Sequence, residues 1–264
     1  MKMAKIAFFD SGLGGLSVLH HALRVLPHEQ FIFYADEDHV PYGTKTRAEV
    51  ERYVAEAFDF LMAQDVKAIV VACNTATSVA VPEMRRRYDL PIIGMEPAAK
   101  KALALDSEHR VLVAATPITI AGEKMEHLIE RVDKEHLVDR LALPDLVTFA
   151  ERQEFESPAV LDYLQKELAP YHLADYSALV LGCTHFNYFK RAFRQIIPPA
   201  MRFVDGNEGT VRQLVRKLEE RKALAPETQV QTLACYYSGR LVTDQQELAR
   251  LAAFRRQLDA VYEL

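Results

Sequence analysis

The chain has 264 residues, of which 50% are hydrophobic and 26% are charged, and its formal net charge is −5 at pH 7. This composition is ordinary for a globular protein, and its slightly acidic balance gives no general attraction for nucleic acid. No run approaches the ~18 consecutive apolar residues that a membrane helix needs, and the N-terminus leads into a strand without a signal peptide.

Three cysteines are spread widely along the chain. Their spacing forms neither a disulfide framework nor a CxxC metal or redox motif. We therefore expect a cytoplasmic protein with reduced thiols that has neither a membrane nor a nucleic acid as a partner.

The first part of the chain alternates between strand and helix patterns. Apolar residues at 6–9 predict a buried strand, which a glycine-rich loop over 10–15 and a helix up to Pro27 follow. A second strand is predicted over 31–34. Thr46 and Glu49 form a capping box that predicts the start of an amphipathic helix continuing to Leu61. Farther along, Pro82 is expected to begin a new helical turn.

Two similar stretches, one in each half of the chain, each end in a cysteine. The apolar run 69–72 precedes Cys73, and the run 179–182 precedes Cys183; polar residues follow each cysteine. Short apolar runs of this kind are typical of buried strands in a parallel sheet. Ligands of such sheets bind beyond the carboxyl ends of the strands. Both thiols are therefore predicted to lie at the edge where a ligand binds.

The second half repeats the opening pattern. A strand over 111–115 is followed by the segment 116–119, which takes the place of the first glycine-rich loop. Ser157 is predicted to cap a helix over 158–168, and Asn207 to cap another. The remaining predicted elements are helices over about 119–131, 144–152 and 244–251 and a strand over 230–237.

The alternation of strands and helices predicts an α/β fold with mainly parallel sheets. Because the second half echoes the first, we expect two pseudo-symmetric α/β domains with the active site in the cleft between them. The first domain would comprise residues 1–96 together with 206–264, and the second residues 97–205.

Two thiols that face each other suit one chemistry in particular, which is removing a proton from one side of a carbon and returning one from the other side. The ordinary pKa of a thiol, ~8.5, makes both its protonated and its charged form accessible near neutral pH. Asp10 and His185 are expected to determine which thiol is charged.

Neighbouring groups are suited to binding an anionic substrate. Asn74, Thr75 and Thr184 offer hydrogen-bond donors for a carboxylate, and the glycines after Asp10 expose backbone N–H groups that are expected to face an anion. Cys235 lacks a polar pair after it and is interpreted as a core residue.

Two other interpretations compete with this one. Residues 12–17 nearly match the dinucleotide fingerprint GxGxxG, with Asp36 in the place of the ribose-binding acid, but nicotinamide binding would leave both cysteines unexplained. Zinc held by Cys73, Cys183 and His185 is conceivable, although no closely spaced pair of ligands supports it.

At these residues the chain resembles glutamate racemase, of the cofactor-independent aspartate/glutamate racemase superfamily. The resemblance extends over nearly the whole length. The matching blocks are residues 10–19, Pro41-Tyr42-Gly43, Cys73-Asn74-Thr75-Ala76, Glu96-Pro97 and Leu181-Gly182-Cys183-Thr184-His185.

The resemblance implies that Cys73 and Cys183 are the two acid/base residues, assisted by Asp10, His185 and Glu151. It implies that glutamate is the substrate, that no cofactor or metal takes part, that D-glutamate is supplied for peptidoglycan synthesis, and that the protein forms a homodimer. The substrate-binding set it implies is Asp10, Ser11, Pro41, Tyr42, Gly43, Asn74, Thr75, Thr116, Thr119, Thr184 and His185.

Other assignments remain open within and beyond this family. Aspartate racemases tend to carry Glu where His185 stands, which favours glutamate over aspartate as the substrate. A ligand-binding or regulatory protein on the same fold is the alternative from another class. Leu143, where the family often has Cys, and Gly122 and Met125, which replace its usual Ser and Tyr, are departures expected to affect substrate affinity or regulation.

Overall fold

A computed structural model describes residues 4–95, 98–106 and 108–264, without the side chain of Lys124. The motif Glu96-Pro97 and the expected domain boundary beside it lie outside these residues.

The described residues form ten strands. In chain order they are β1 Lys5–Asp10, β2 Gln30–Ala35, β3 Val66–Val71, β4 Ile92–Gly94, β5 Arg110–Ala115, β6 Val138–Ala142, β7 Tyr176–Leu181, β8 Arg202–Val204, β9 Thr232–Tyr237 and β10 Arg240–Leu241.

Twelve α-helices lie between or after these strands in the described part of the chain. They are α1 Leu16–Val25, α2 Arg47–Met62, α3 Asn74–Val79, α4 Val81–Arg87, α5 Ala99–Leu105, α6 Pro117–Ile120, α7 Glu123–Val132, α8 Asp145–Glu151, α9 Pro158–Leu168, α10 Lys190–Arg194, α11 Asn207–Glu220 and α12 Gln245–Val261. Short 3-10 helices cover Leu13–Gly15, Tyr42–Thr44, Leu173–Asp175 and Thr184–Phe189.

The strands form two sheets. The first has the order β10-β9-β2-β1-β3-β4, in which only the pair β10 and β9 is antiparallel, and the second has the fully parallel order β6-β5-β7-β8. The predicted α/β fold with mainly parallel sheets is therefore confirmed. The first sheet draws its strands from both ends of the chain, which supports the expected discontinuous domain; its exact boundaries stay a prediction.

Parallel pairing brings the two halves of the predicted site to matching edges. Phe9 of β1 pairs with Val71 of β3, so Asp10 and Cys73 follow neighbouring strands. Ala114 of β5 pairs with Leu181 of β7, so Thr116 and Cys183 follow neighbouring strands of the second sheet. Each sheet thus presents one cysteine at its carboxyl edge, as expected for a ligand site in this type of fold.

One hydrophobic cluster connects the two sheets. It includes Ile6 and Phe8 of β1, Leu179 of β7, and Leu214 and Phe254 of the helices α11 and α12. Because these side chains are packed together and exclude water, the cluster joins the two halves behind the predicted cleft. No helix in the described residues is both long and apolar enough to cross a bilayer.

Several predicted elements have different bounds. The capping box of Thr46 and Glu49 and the cap by Ser157 are confirmed. The predicted helix over about 119–131 is two helices, α6 and α7, because the chain turns at Ala121 and Gly122 occupies the extended N-cap position of α7. Gly206 rather than Asn207 precedes α11.

The C-terminal elements also differ from the prediction. The predicted strand over 230–237 begins at Thr232, since Val230 is exposed and the strand starts where it pairs with Gln30. The last helix continues ten residues farther than the predicted end at Leu251. Its buried residues Phe254, Leu258 and Val261 continue the apolar spacing of a helix, which holds this extension against the core.

Candidate active site

Cys73 and Cys183 line one narrow cavity between the two sheets. The space inside it that a water-sized molecule can occupy is only ≈ 10 Å³, close to the ~10–15 Å³ that a single water needs. Only a small molecule suits such a cavity, and its walls must part to admit an amino acid. The lining residues are Ser11, Pro41, Tyr42, Gly43, Cys73, Asn74, Thr75, Thr116, Val147, Gly182, Cys183, Thr184 and His185.

The Cys73 thiol lies at the N-terminus of α3. The backbone N–H of Ala76 donates to its Sγ at 3.4 Å, and the thiol donates to Ser11 Oγ at 3.6 Å. Burial and the nearby Asp10 carboxylate raise the pKa of Cys73 to about 12, because both disfavour a thiolate. Cys73 is therefore a protonated thiol in the unliganded protein.

Asp10 lies directly behind this thiol and is fully buried. Its Oδ1 accepts from the N–H of Gly12 at 3.1 Å and contacts Ser11 Oγ at 3.5 Å, while its Oδ2 accepts from Thr184 Oγ1 at 3.1 Å. Burial raises the pKa of Asp10 to about 6, against the opposing effects of His185 and these hydrogen bonds. A carboxyl group with this pKa is able to gain or lose a proton near neutral pH.

The Cys183 thiol has a histidine beside it instead of a carboxylate. Its Sγ lies 3.8 Å from Nδ1 of His185, and Nε2 of the same ring lies 2.6 Å from Glu151 Oε1. Burial lowers the pKa of His185, but the hydrogen bonds and charges of Cys183 and Glu151 outweigh it, so the pKa lies well above 6.5. A charged imidazolium is thus placed to stabilise a thiolate at Cys183.

One further contact at His185 favours the neutral ring. The backbone N–H of Gly14 points at Nε2 from 3.2 Å and needs that nitrogen without its hydrogen. The Glu151 carboxylate is nearer and carries a full charge, so the imidazolium form is the one that the surroundings favour.

Glu151 joins three parts of the structure. Its Oε1 also accepts from the N–H of Leu13 at 2.8 Å, and its Oε2 accepts from Arg250 at 2.6 Å. Burial would raise the pKa of Glu151, but His185, Leu13 and Arg250 together lower it below its ordinary 4.5. This carboxylate is therefore charged at neutral pH and lies behind His185; the assisting role that the resemblance implies for it stays a prediction.

The glycine-rich loop has a different role from the one expected. Its N–H groups at Gly12 and Leu13 contact the carboxylates of Asp10 and Glu151, not a free anion in the cavity. Glycine is needed here because a Cβ atom at Gly14 would lie 2.4 Å from both His185 Nδ1 and Thr184 Oγ1. The loop thus lets the two halves approach closely at the site.

Polar side chains from both halves meet across the cavity. The hydroxyl groups of Thr75, Thr116 and Thr119 form a triangle with sides of 3.0, 3.3 and 3.0 Å. Asn74 is buried, and its side-chain Nδ2 has no hydrogen-bond partner in the described part of the structure. A buried donor without a partner is unfavourable, so this amide is suited to donate a hydrogen bond to a ligand carboxylate.

The carboxylate of Asp36 already has hydrogen-bond partners within the protein. Its carboxylate accepts from Tyr42 Oη at 2.6 Å and from Ser238 Oγ at 2.8 Å, and it contacts His39 at 2.9 Å. The nicotinamide interpretation, in which Asp36 binds a ribose, therefore has no support. The same contact fixes Tyr42 as a wall of the cavity, with its hydroxyl group directed to Asp36.

The zinc interpretation also lacks support. Among residues 4–95, 98–106 and 108–264, no group of three or more His, Cys, Asp or Glu side chains is placed to hold a metal ion. Cys235 lies within β9, where it pairs with Phe33, away from the cavity lining.

The predicted residues thus divide into a lining and a supporting set. Asp10, Thr119 and Glu151 are supporting residues, because each contacts a lining residue instead of the cavity. Leu143 and Met125 are buried in the core and Gly122 precedes α7, so their effect on affinity stays a prediction.

Some residues of the site had no signal in the sequence. Val147 lines the cavity, and Arg250, which also donates to Glu37, reaches Glu151 from behind. Val147 and Arg250 lie in otherwise ordinary amphipathic helices, where one apolar or charged residue is not distinguishable from the others.

Known proteins with similar sequences or structures are racemases. The model of the family Asp/Glu/hydantoin racemase matches residues 15–214. A glutamate racemase of Campylobacter curvus is 50% identical over 266 aligned residues, which cover 98% of this chain and 99% of that protein.

Two solved structures have the same two-domain architecture. Glutamate racemase from Francisella tularensis in complex with D-glutamate has a TM-score of 0.82 at 26% identity, covering 97% of this chain and 95% of that chain. Escherichia coli glutamate racemase in complex with L-glutamate and activator UDP-MurNAc-ala has a TM-score of 0.79 at 28% identity, covering 96% of this chain and 95% of that chain.

Proposed function

Since this chain belongs to the family of Asp/Glu/hydantoin racemases, we propose that it interconverts L-glutamate and D-glutamate with Cys73 and Cys183 as the two bases. The chain is an isomerase, an amino-acid racemase that acts on glutamate. The assignment of individual residues to steps rests on the geometry of the cavity.

The observation that carries this proposal is the different surroundings of two thiols in one cavity. Cys73 contacts Ser11 and lies before the Asp10 carboxylate, which keeps it protonated. Cys183 lies beside the His185 imidazolium, which favours a thiolate. A racemase needs one thiol and one thiolate at the start of each turnover, and the two sulfurs have neighbours of opposite charge, the Asp10 carboxylate at Cys73 and the His185 imidazolium at Cys183.

In the proposed reaction the Cys183 thiolate takes the α-proton, and the electron pair of the broken C–H bond remains on the carbon. The Cys73 thiol then gives its proton to the opposite face of that carbon. The product has inverted configuration, and the two sulfurs have exchanged protonation states. The reverse reaction uses the same groups in opposite roles, so Asp10 and His185 must permit either state.

The substrate carboxylates would be bound by the polar groups of the lining. The unpartnered amide of Asn74 and the hydroxyls of Thr75, Thr116 and Thr184 are suited to this role. These donors are held in place before the substrate arrives, so they stabilise the charge that develops when the α-proton leaves.

The free state of all three cysteines supports a reducing compartment, the bacterial cytoplasm. There the D-glutamate would supply peptidoglycan synthesis, the role implied by the resemblance. The homodimer stays a prediction.

Proton exchange with heavy water tests the mechanism directly. The protein is incubated with L-glutamate in D₂O, and the two enantiomers are separated at early times. If two sulfurs act from opposite faces, the D-glutamate formed carries deuterium at the α-carbon while the remaining L-glutamate keeps its proton. Return of the original proton to the product would contradict the proposal.

Single substitutions identify the two bases. Cys73→Ser and Cys183→Ser should each abolish racemisation, whereas the matched control Cys235→Ser should keep wild-type activity. Full activity in either of the first two variants would refute the assignment. Parallel incubations with L-aspartate distinguish an aspartate racemase, and no turnover of either amino acid would support a regulatory protein.

A further inference from the structure

Arg250, on the C-terminal helix α12, reaches the back of the site. Its Nη2 donates to Glu151 Oε2 at 2.6 Å and to the carbonyl oxygen of Glu151 at 3.3 Å. Its Nη1 donates to Glu37 Oε2 at 2.8 Å. One guanidinium group therefore connects α12, the loop after β2 and the end of α8.

The contacts of Glu151 divide between its two oxygens. Oε1 faces His185 and the N–H of Leu13, and Oε2 faces Arg250. Because a carboxylate is planar, a partner that fixes Oε2 also fixes the direction in which Oε1 points. Arg250 thus determines whether Oε1 meets Nε2 of His185.

Three acidic side chains surround the guanidinium group of Arg250. Glu37 is mostly buried, and burial together with the Glu151 charge raises its pKa to about 7. Arg250 lies between these two carboxylates, with Glu247 at 3.5 Å as a third acidic neighbour. Without the guanidinium group, Glu37 and Glu151 would repel each other, and Glu151 would be free to turn away from His185.

We propose that Arg250 is a positioning residue that holds Glu151 against His185 and thereby keeps His185 oriented toward Cys183. This role rests on the proposed function, in which Cys183 is one of the two bases. Arg250 does not contact the cavity, so it acts on proton transfer without binding the substrate.

The decisive variants are Arg250→Ala and Arg250→Met, with Arg256→Ala as the control. Arg256 is exposed on the same helix. In both Arg250 variants we expect kcat for glutamate to fall about tenfold to a hundredfold, by analogy with the loss of a partner behind a metal-ligating histidine, while KM changes less than threefold. Added guanidinium ion should restore part of the kcat of Arg250→Ala, since Arg250 is partly exposed and its place is accessible.

If Arg250 only stabilised the fold, added guanidinium ion would lower the activity of Arg250→Ala further, because this ion destabilises proteins. Wild-type kcat in Arg250→Met would overturn the proposal, as would a parallel rise in KM or a failure of guanidinium to restore Arg250→Ala. If Arg250→Ala does not fold, Arg250→Met decides the question, because its side chain keeps the apolar packing of the arginine stem. An inactive wild-type protein would instead refute the proposed function itself.

Discussion

The hydroxyl group of Thr184 donates a 3.1 Å hydrogen bond to the buried carboxylate of Asp10. Thr184 directly follows Cys183, and Asp10 lies behind Cys73 on the edge of the other sheet. The bond therefore couples the surroundings of the two thiols. It also fixes Asp10 where burial raises its pKa to about 6.

Replacing Asp10 by Asn should stabilise the protein at neutral pH and inactivate it. The pKa of Asp10 is higher in the folded protein than its ordinary 3.8, so the folded state binds the proton more tightly and loses stability as pH rises from about 4 to 6. At ~1.36 kcal/mol per pKa unit, the charged carboxylate costs ~3 kcal/mol at neutral pH. Asp10→Asn avoids this cost.

Urea unfolding at two pH values checks this prediction. The difference in free energy of unfolding between Asp10→Asn and the wild type should increase by ~2 kcal/mol between pH 4.5 and pH 7.5. Asp162→Asn, the same carboxyl-to-amide change on an exposed side chain of α9, is the control variant measured beside it. If the difference in free energy of unfolding between the two proteins did not depend on pH, burial would not raise the pKa of Asp10.

Replacing Glu151 by Gln should lower the pKa of His185, so that its ring loses its positive charge. In the wild type the raised pKa of His185 contributes stability that is complete below pH 6.5 and is lost as pH rises through the folded pKa. Glu151→Gln removes one of the charges that raise the pKa of His185 while burial continues to lower it, so the ring loses its proton at a lower pH than in the wild type. The rate of racemisation should fall as His185 loses its positive charge.

NMR titration of the histidine side chains measures this directly. The His185 ring should remain an imidazolium at pH 7.5 in the wild type and lose its proton at a lower pH in Glu151→Gln. Equal titration of His185 in both would show that Glu151 does not control its charge.

Replacing Gly14 by Ala should disrupt the contact between the two halves. The added Cβ atom would lie 2.4 Å from the buried side chains of His185 and Thr184, which must then move. Overpacking of this kind costs ~1–3 kcal/mol, and a displacement of ~1 Å lowers the rate by ~100-fold.

Gly209 of α11 is the matched control for this substitution. A Cβ atom there meets nothing within 4 Å. Gly209→Ala should therefore leave kcat unchanged and stabilise the helix by ~0.5–1 kcal/mol. Thermal unfolding and steady-state kinetics on both variants are the measurements, and an active, stable Gly14→Ala protein would contradict the prediction.

Replacing Asn74 by Ala should weaken substrate binding with little loss of stability. Its Nδ2 has no partner among the residues that the structure describes, so the substitution removes no hydrogen bond of this group. A bond from this amide to a carboxylate is worth ~1.5–3 kcal/mol, which corresponds to a rise in KM of about tenfold to a hundredfold.

Asn187→Ala should show the opposite pattern. The Asn187 amide already donates to the carbonyl oxygen of Thr184 at 3.2 Å, so its loss should lower the free energy of unfolding by ~1 kcal/mol. Urea unfolding of both variants and KM for glutamate distinguish the two cases. A large loss of stability in Asn74→Ala would mean that its amide has a structural role.

Local patterns were sufficient to predict the strands that carry the two cysteines. The apolar runs before Cys73 and Cys183 are short and end abruptly, and this is the pattern of a buried parallel strand. Two such runs with the same ending also predicted that the thiols share one cavity. The capping box at Thr46 was predictable for the same reason, since its two hydrogen bonds join residues three positions apart.

Contacts between distant parts of the chain were not predictable in this way. Leu13 and Glu151 are 138 positions apart, and Arg250 and Glu151 are 99 apart. Nothing in the helical spacing of α12 distinguishes Arg250 from its exposed neighbours, because the turn toward the site depends on how the helix packs. The glycine-rich loop was misinterpreted for a related reason, since its anionic partner is a side chain of the other half.

The closed hydroxyl triangle of Thr75, Thr116 and Thr119 has a consequence for the speed of turnover. Thr75 belongs to one sheet edge and Thr116 and Thr119 to the other, so these hydrogen bonds join the two halves beside the narrow cavity. We therefore expect these hydrogen bonds to break twice in each catalytic cycle, once when the amino acid enters and once when it leaves. A viscous solvent slows such movements of the two halves. We therefore expect kcat to depend on how fast the halves separate, and not only on proton transfer at the two thiols.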